Sequence, residues 1–121
     1  DQFGAPTSAR LIAEATAGAI ARNLVGGKLD LDRFREMGGL YHLTAAGRTT
    51  WYGFAQAILA GKAGMAKVSP IPTSSYPTPA GRPQNSVLDN GKLEKQFGFS
   101  LPDWKVGLQL CLEELGDSVI G

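Results

Sequence analysis

This sequence predicts an α/β fold of about four helices and two or three short strands, and three observations carry it. Apolar residues recur at helical spacing in four separate stretches, each bounded by capping residues or glycine. Strand-like alternation is confined to a few residues at a time. Four of the seven prolines lie between Pro72 and Pro83, which makes 71–89 a stiff extended loop, since each proline fixes φ and removes a backbone donor.

Taken in order, residues 1–7 read as loop, and Thr7 or Ser8 caps a helix running from 8 to about 24. Leu11, Ile12, Ala15, Ala19 and Ile20 form its apolar face, and Gly26-Gly27 stops it. Residues 28–37 are charged and without period, so a surface connection with one helical turn is expected. Leu40 to Thr44 alternates and is rich in aromatic and β-branched residues, the pattern of a short strand. That strand lacks partners in this chain and is expected to pair with strands from elsewhere.

Thr49 or Thr50 caps a second helix with Trp51, Phe54, Ala55, Ile58 and Leu59 on one face, ended by Gly61. Residues 67–72 can form only an edge strand or an extended segment. After the proline-rich loop, Asp89 caps a short helix in which Leu93 and Phe97 lie a turn apart, stopped by Gly98. Ser100-Leu101-Pro102-Asp103 has capping-box spacing with proline in the first turn. A continuous stripe from Trp104 through Leu108, Cys111, Leu112 and Leu115 then marks the last helix, with Gly116 as its stop.

A chain of 121 residues is one domain's worth. Twelve Lys and Arg against eleven Asp and Glu leave a net charge of +1, so no bulk attraction to nucleic acid or acidic membranes is implied. The lone Cys111 excludes an internal disulfide and fits a reducing cytoplasm. No uncharged apolar run approaches the ~20 residues that span a bilayer, so a soluble chain is expected.

Few residues stand out as chemistry. His42 is the only histidine, and without an assignable nucleophile and orienting carboxylate it reads as packing. Cys111 lies on an apolar stripe and reads as core. Trp51 either anchors its helix or walls a pocket, and the tendency of aromatics at helical spacing favours core. Gly61-Lys62-Ala63-Gly64 fails the strand-then-helix context of a phosphate loop. Arg82, between Gly81 and Pro83, offers a guanidinium suited to bidentate phosphate recognition, with Asn85 and Ser86 as neighbouring hydrogen-bonding groups.

Several blocks together give the chain a resemblance. Asp1-Gln2-Phe3-Gly4-Ala5-Pro6-Thr7, Gly39-Leu40-Tyr41-His42-Leu43, Thr49-Thr50-Trp51, residues 72–80 and Arg82-Pro83-Gln84-Asn85-Ser86-Val87-Leu88-Asp89 resemble, in order and spacing, the C-terminal portion of the dTDP-4-dehydrorhamnose reductase family. The resemblance implies residues 1–121 of a longer extended short-chain dehydrogenase/reductase with a Rossmann-like NAD(P)-binding fold. It implies reduction of the 4-keto group of dTDP-4-dehydro-L-rhamnose with NADPH, or sometimes NADH, bound by a region this sequence does not include. The family's Tyr-x-x-x-Lys pair and Gly-rich turn are absent here, so no catalytic or cofactor-binding residue is expected. Substrate contacts are expected from Arg82, Asn85, Ser86 and Thr7, with a dTDP-sugar as partner and a homodimer as assembly. Some members hold Mg²⁺ through glutamates. Glu114 matches one of these, but Arg10 stands where another glutamate is expected, which argues against the metal. Competing functional readings are a non-catalytic regulatory module on the same scaffold, or another sugar-nucleotide reductase or epimerase.

Overall fold

A computed structural model describes residues 1–60 and 67–118; the Gly61 stop and the Gly61 to Gly64 turn fall outside them. The chain begins with strand β1, Phe3–Gly4, which pairs antiparallel with β4, Thr49–Thr50, Phe3 lying opposite Thr50. The expectation of a loop at the start is therefore corrected. A two-residue strand carries no local period, and its partner comes much later in the chain.

Helix α1 spans Ala9–Ala21 and ends three residues before the expected boundary. Ser8 supplies its first carbonyl, which accepts from Ile12 N–H at 3.1 Å, but no side chain caps it. Gly26-Gly27 is more than a helix stop. It is the turn of a hairpin between β2, Leu24–Val25, and β3, Lys28–Leu29, with φ of 59° and 78°. Positive φ at both central residues is the type I′ requirement that glycine meets without strain. Asp30 then caps α2, Leu31–Glu36, accepting from Arg33 N–H at 3.1 Å. Asn23, 2% exposed, joins helix to hairpin: its side-chain amide donates to Ala19 O and its carbonyl accepts from Asp30 N–H.

Leu40 to Thr44 is irregular backbone, which removes the expected strand and its need for outside partners. Its side chains anchor the segment instead. Tyr41 meets Phe97 edge-on at 5.2 Å, donates its hydroxyl to Met37 O at 2.7 Å, and lies under Lys92 Nζ. Asn90 takes the place of a neighbouring strand: its Oδ1 accepts from Thr44 N–H at 3.2 Å and its Nδ2 donates to Thr44 O at 2.9 Å. One amide thus satisfies backbone groups that burial would otherwise leave costly. His42 is exposed, its Nδ1 3.3 Å from Asp89 O.

The next residues form a seam. Ala45, buried, donates its N–H to Thr7 Oγ1 at 3.0 Å, while Ala46 N–H donates to Pro102 O and Ala46 O accepts from Trp104 N–H, both at 3.0 Å. Helix α3, Trp51–Leu59, follows β4 directly, capped by Thr50 as the sequence predicts. A 3₁₀ turn occupies Thr73–Ser75 in the otherwise irregular loop, and α4 spans Gly91–Phe97. Asp89 contributes to the start of α4 by accepting from Gly91 N–H at 2.8 Å, with Asn90 as the capping position.

Helix α5, Trp104–Ser118, begins three residues later than a Ser100 cap implies, and Asp103 serves its first turn, accepting from Lys105 N–H at 3.0 Å. Gly116 lies within it and does not stop it. Trp104, 6% exposed, packs edge-on against Phe54 at 6.0 Å, and Gly107 lets α5 approach Leu11 and Ser8 of the α1 end. Cys111 is half-buried there, its Sγ 3.8 Å from Ser8 Oγ.

Among the described residues the buried apolar side chains are Ala45, Leu93, Leu101 and Trp104, while Ile12, Ile20, Leu31, Phe34, Val106 and Leu115 stay exposed. No described helix is long and apolar enough to cross a membrane. With so few buried side chains, Trp104 carries a large share of the packing. Trp104→Ala should cost ~3–5 kcal/mol, read as a lowered urea midpoint, and Trp104→Phe should recover part of the loss.

Candidate functional site

The proline-rich loop is held by the first three residues of the chain. Thr73 donates its N–H to Asp1 Oδ1 at 2.9 Å and its hydroxyl to the same oxygen, and Gln2 Nε2 donates to Thr73 Oγ1 at 3.2 Å. Farther along the loop, Phe3 N–H donates to Gln84 O at 2.8 Å, and Phe3 O accepts from Ser86 N–H at 2.9 Å and Ser86 Oγ at 3.0 Å. The loop is therefore tied on both sides of Arg82.

Two adjoining cavities open against this clasp. The smaller, about 560 Å³, is walled by residues 2–7, Thr49, Thr50, Phe54, Pro83 and Ser86. The larger, about 690 Å³, takes its walls from Tyr52, Ala55, Val68, Ile71, Tyr76 and their neighbours. Gln2, Trp51 and Arg82 border both.

The residues singled out in the sequence fare differently. Arg82 is exposed on the shared wall and makes no hydrogen bond or ion pair with the described residues. Thr7 and Ser86 line the smaller cavity, but their hydroxyls are committed: Thr7 Oγ1 donates to Ala5 O at 2.8 Å while accepting from Ala45 N–H, and Ser86 Oγ donates to Phe3 O. Asn85 lies outside both cavity walls, its Oδ1 accepting from Val87 N–H at 3.1 Å in a local turn. The arrangement joins Arg82, Ser86 and Thr7 and leaves Asn85 aside.

Trp51 corrects the expectation of a core residue, being 71% exposed. Phe54, three residues on, makes the contact with Trp104, and Trp51, at the first helical position, stands at the cavity rim. Gly53 keeps this start of α3 tight: its N–H donates to Thr50 Oγ1 at 3.0 Å, and a Cβ there would come within 2.6 Å of Thr49 Oγ1. Sequence reading missed Gln2, Phe3 and Gly4 as cavity walls because their partners are distant in the chain.

The family described as RmlD substrate binding domain matches residues 1–116. The chain is 48% identical to a dTDP-4-dehydrorhamnose reductase of Burkholderia thailandensis, over 95% of this chain and 40% of that protein. It is 46% identical to a dTDP-4-dehydrorhamnose reductase of Escherichia coli K12, over 95% and 38%. At greater distance it is 28% identical to the spore coat polysaccharide biosynthesis protein SpsK of Bacillus subtilis. The chain spans about 40% of the length of the first of these relatives.

The residues present do not fit a divalent cation. Arg10 Nε donates to Glu14 Oε1 at 2.8 Å and Arg10 Nη1 to Glu114, so the position where a second glutamate is expected holds a guanidinium that itself engages Glu114. The hydrogen bonds to Glu14 and then Glu114 hold the Arg10 pKa above its ordinary value, and the group stays charged. Among the described residues no cluster of three metal-ligating side chains occurs. Chelator or millimolar Mg²⁺ should therefore leave the melting temperature unchanged, whereas added NaCl should lower it slightly by screening this exposed pair. Differential scanning fluorimetry across the four conditions checks both effects.

Proposed function

This chain belongs to the RmlD substrate binding domain family, and from that membership we propose that it is the substrate-binding portion of a dTDP-4-dehydrorhamnose reductase. In this reading the whole enzyme uses NADPH or NADH to reduce the 4-keto group of dTDP-4-dehydro-L-rhamnose. The nicotinamide and the proton donor belong to parts of the enzyme other than this chain. Residues 1–121 hold the substrate, through Arg82 first and the hydroxyl-lined wall of Ser86 and Thr7 second.

The observation that carries the reading is Arg82: a cation with no partner among the described residues, on a loop tied at Thr73 and at Gln84 to Ser86, facing two cavities at once. A nucleotide-linked sugar has its two negative charges in the middle and a ring at either end. A guanidinium between two cavities matches that order, because its planar fork can bind phosphate oxygens in pairs. The ties matter because a preordered loop loses less entropy on binding. Thr7 and Ser86 can still accept hydrogen bonds through their remaining lone pairs.

The full-length protein should oxidise NADPH in the presence of dTDP-4-dehydro-L-rhamnose, and residues 1–121 alone should not, since hydride transfer needs the bound nicotinamide. Arg82→Ala in the full-length protein should weaken dTDP binding by ~1.5–3 kcal/mol, the worth of a charge-assisted hydrogen bond. Arg82→Lys should recover only part, and NADPH affinity should not change. Calorimetric titration with dTDP and with NADPH separates the outcomes. Equal dTDP affinity in all three proteins would remove Arg82 from the site.

A further inference from the structure

We infer that Trp51 is the platform on which the base of the nucleotide stacks. The inference rests on the reading of this chain as a dTDP-sugar site and adds the residue that holds the base. Its starting point is an indole 71% exposed at the first position of a helix whose apolar packing against α5 is made by Phe54. Packing among the described residues does not account for a large exposed aromatic beside a cavity.

Both cavities mix flat or apolar groups with hydroxyls, and Trp51 and Arg82 border each of them. The larger also carries Tyr52 and Tyr76, the latter 69% exposed. A pyrimidine ring is flat and polarisable and stacks on aromatic faces. With Arg82 taking the diphosphate on the same shared wall, the indole is the exposed ring on hand for the base.

The position of Trp51 is well defined. Its backbone continues from β4, whose pairing with Phe3 and capping by Thr50 fix the start of α3, so the indole projects from a fixed base. Stacking on such a residue loses little freedom when the ligand arrives.

The test uses the full-length protein and dTDP, with pyrophosphate as the baseless probe. Calorimetry should show Trp51→Ala binding dTDP roughly tenfold more weakly, the scale of one base–aromatic stack, with pyrophosphate affinity unchanged. Trp51→Phe keeps a flat ring and should bind dTDP within about threefold of wild type on the same scale. In wild type, dTDP should shield part of the tryptophan emission from acrylamide and pyrophosphate should not. That dTDP-dependent fraction should vanish in Trp51→Phe, since Trp104, the other tryptophan of residues 1–121, is buried. Unchanged dTDP affinity in Trp51→Ala, or equal shielding by pyrophosphate, overturns the inference while leaving a dTDP site in place. Absence of dTDP binding to wild type overturns the dTDP reading itself, and the inference with it.

Discussion

The backbone of Phe3 is the point on which the rest of the site depends. Its N–H and C=O face Gln84 and Ser86 on one side, while β1 pairs with β4 on the other, so one residue is shared between the proline-rich loop and the start of α3. Prolines 72, 77, 79 and 83 have no N–H to offer a ladder, and the loop cannot hold its own shape by internal pairing. Its order is supplied from outside, by bonds each worth only ~0.5–1.5 kcal/mol net. Placed at both ends of a segment, such bonds restrict every conformation between them, which is how a few weak contacts set the position of Arg82.

Thr7 and Ser86 show that scaffold and site are built from the same groups. The Thr7 hydroxyl links the end of the β1 segment to Ala45, and Ala45 continues into the seam that joins Pro102 and Trp104. Ser86 closes the loop on Phe3. A change at either position alters ligand contacts and loop placement together, whereas Arg82 and Trp51 carry no such double duty.

What the sequence made legible follows from the range of each signal. The Thr50 cap, the α4 segment ending at Gly98 and the existence of α5 are read from neighbours within one helical turn and match the expectation, whereas both ends of α5 were misplaced, at Ser100 and at Gly116. Strand β1 and the cavity walls at Gln2 to Gly4 depend on partners such as Ser86, 83 residues away, and no local pattern announces them. The segment from Leu40 to Thr44 looked like a strand because aromatic and β-branched residues favour pleated backbone. Tertiary contacts to Phe97, Lys92 and Asn90 claimed the same side chains for anchoring. Trp51 was misjudged for a related reason: helical spacing identifies a shared face, but Phe54 took the contact with α5 and left Trp51 at the rim.

Asn90 is followed by Gly91, the dipeptide in which a side-chain amide most readily cyclises onto the next backbone nitrogen and hydrolyses to a carboxylate. In this fold both reacting groups are occupied: the amide grips Thr44 through its oxygen and its nitrogen, and Gly91 N–H is held by Asp89 Oδ1. The contacts that fasten residues 44 and 90 together thus also protect the most age-sensitive bond in the chain. Once that segment opened, conversion would set a negative oxygen against the Thr44 carbonyl, and the latch could not close again. Chemical lifetime and tertiary order are coupled at this one asparagine.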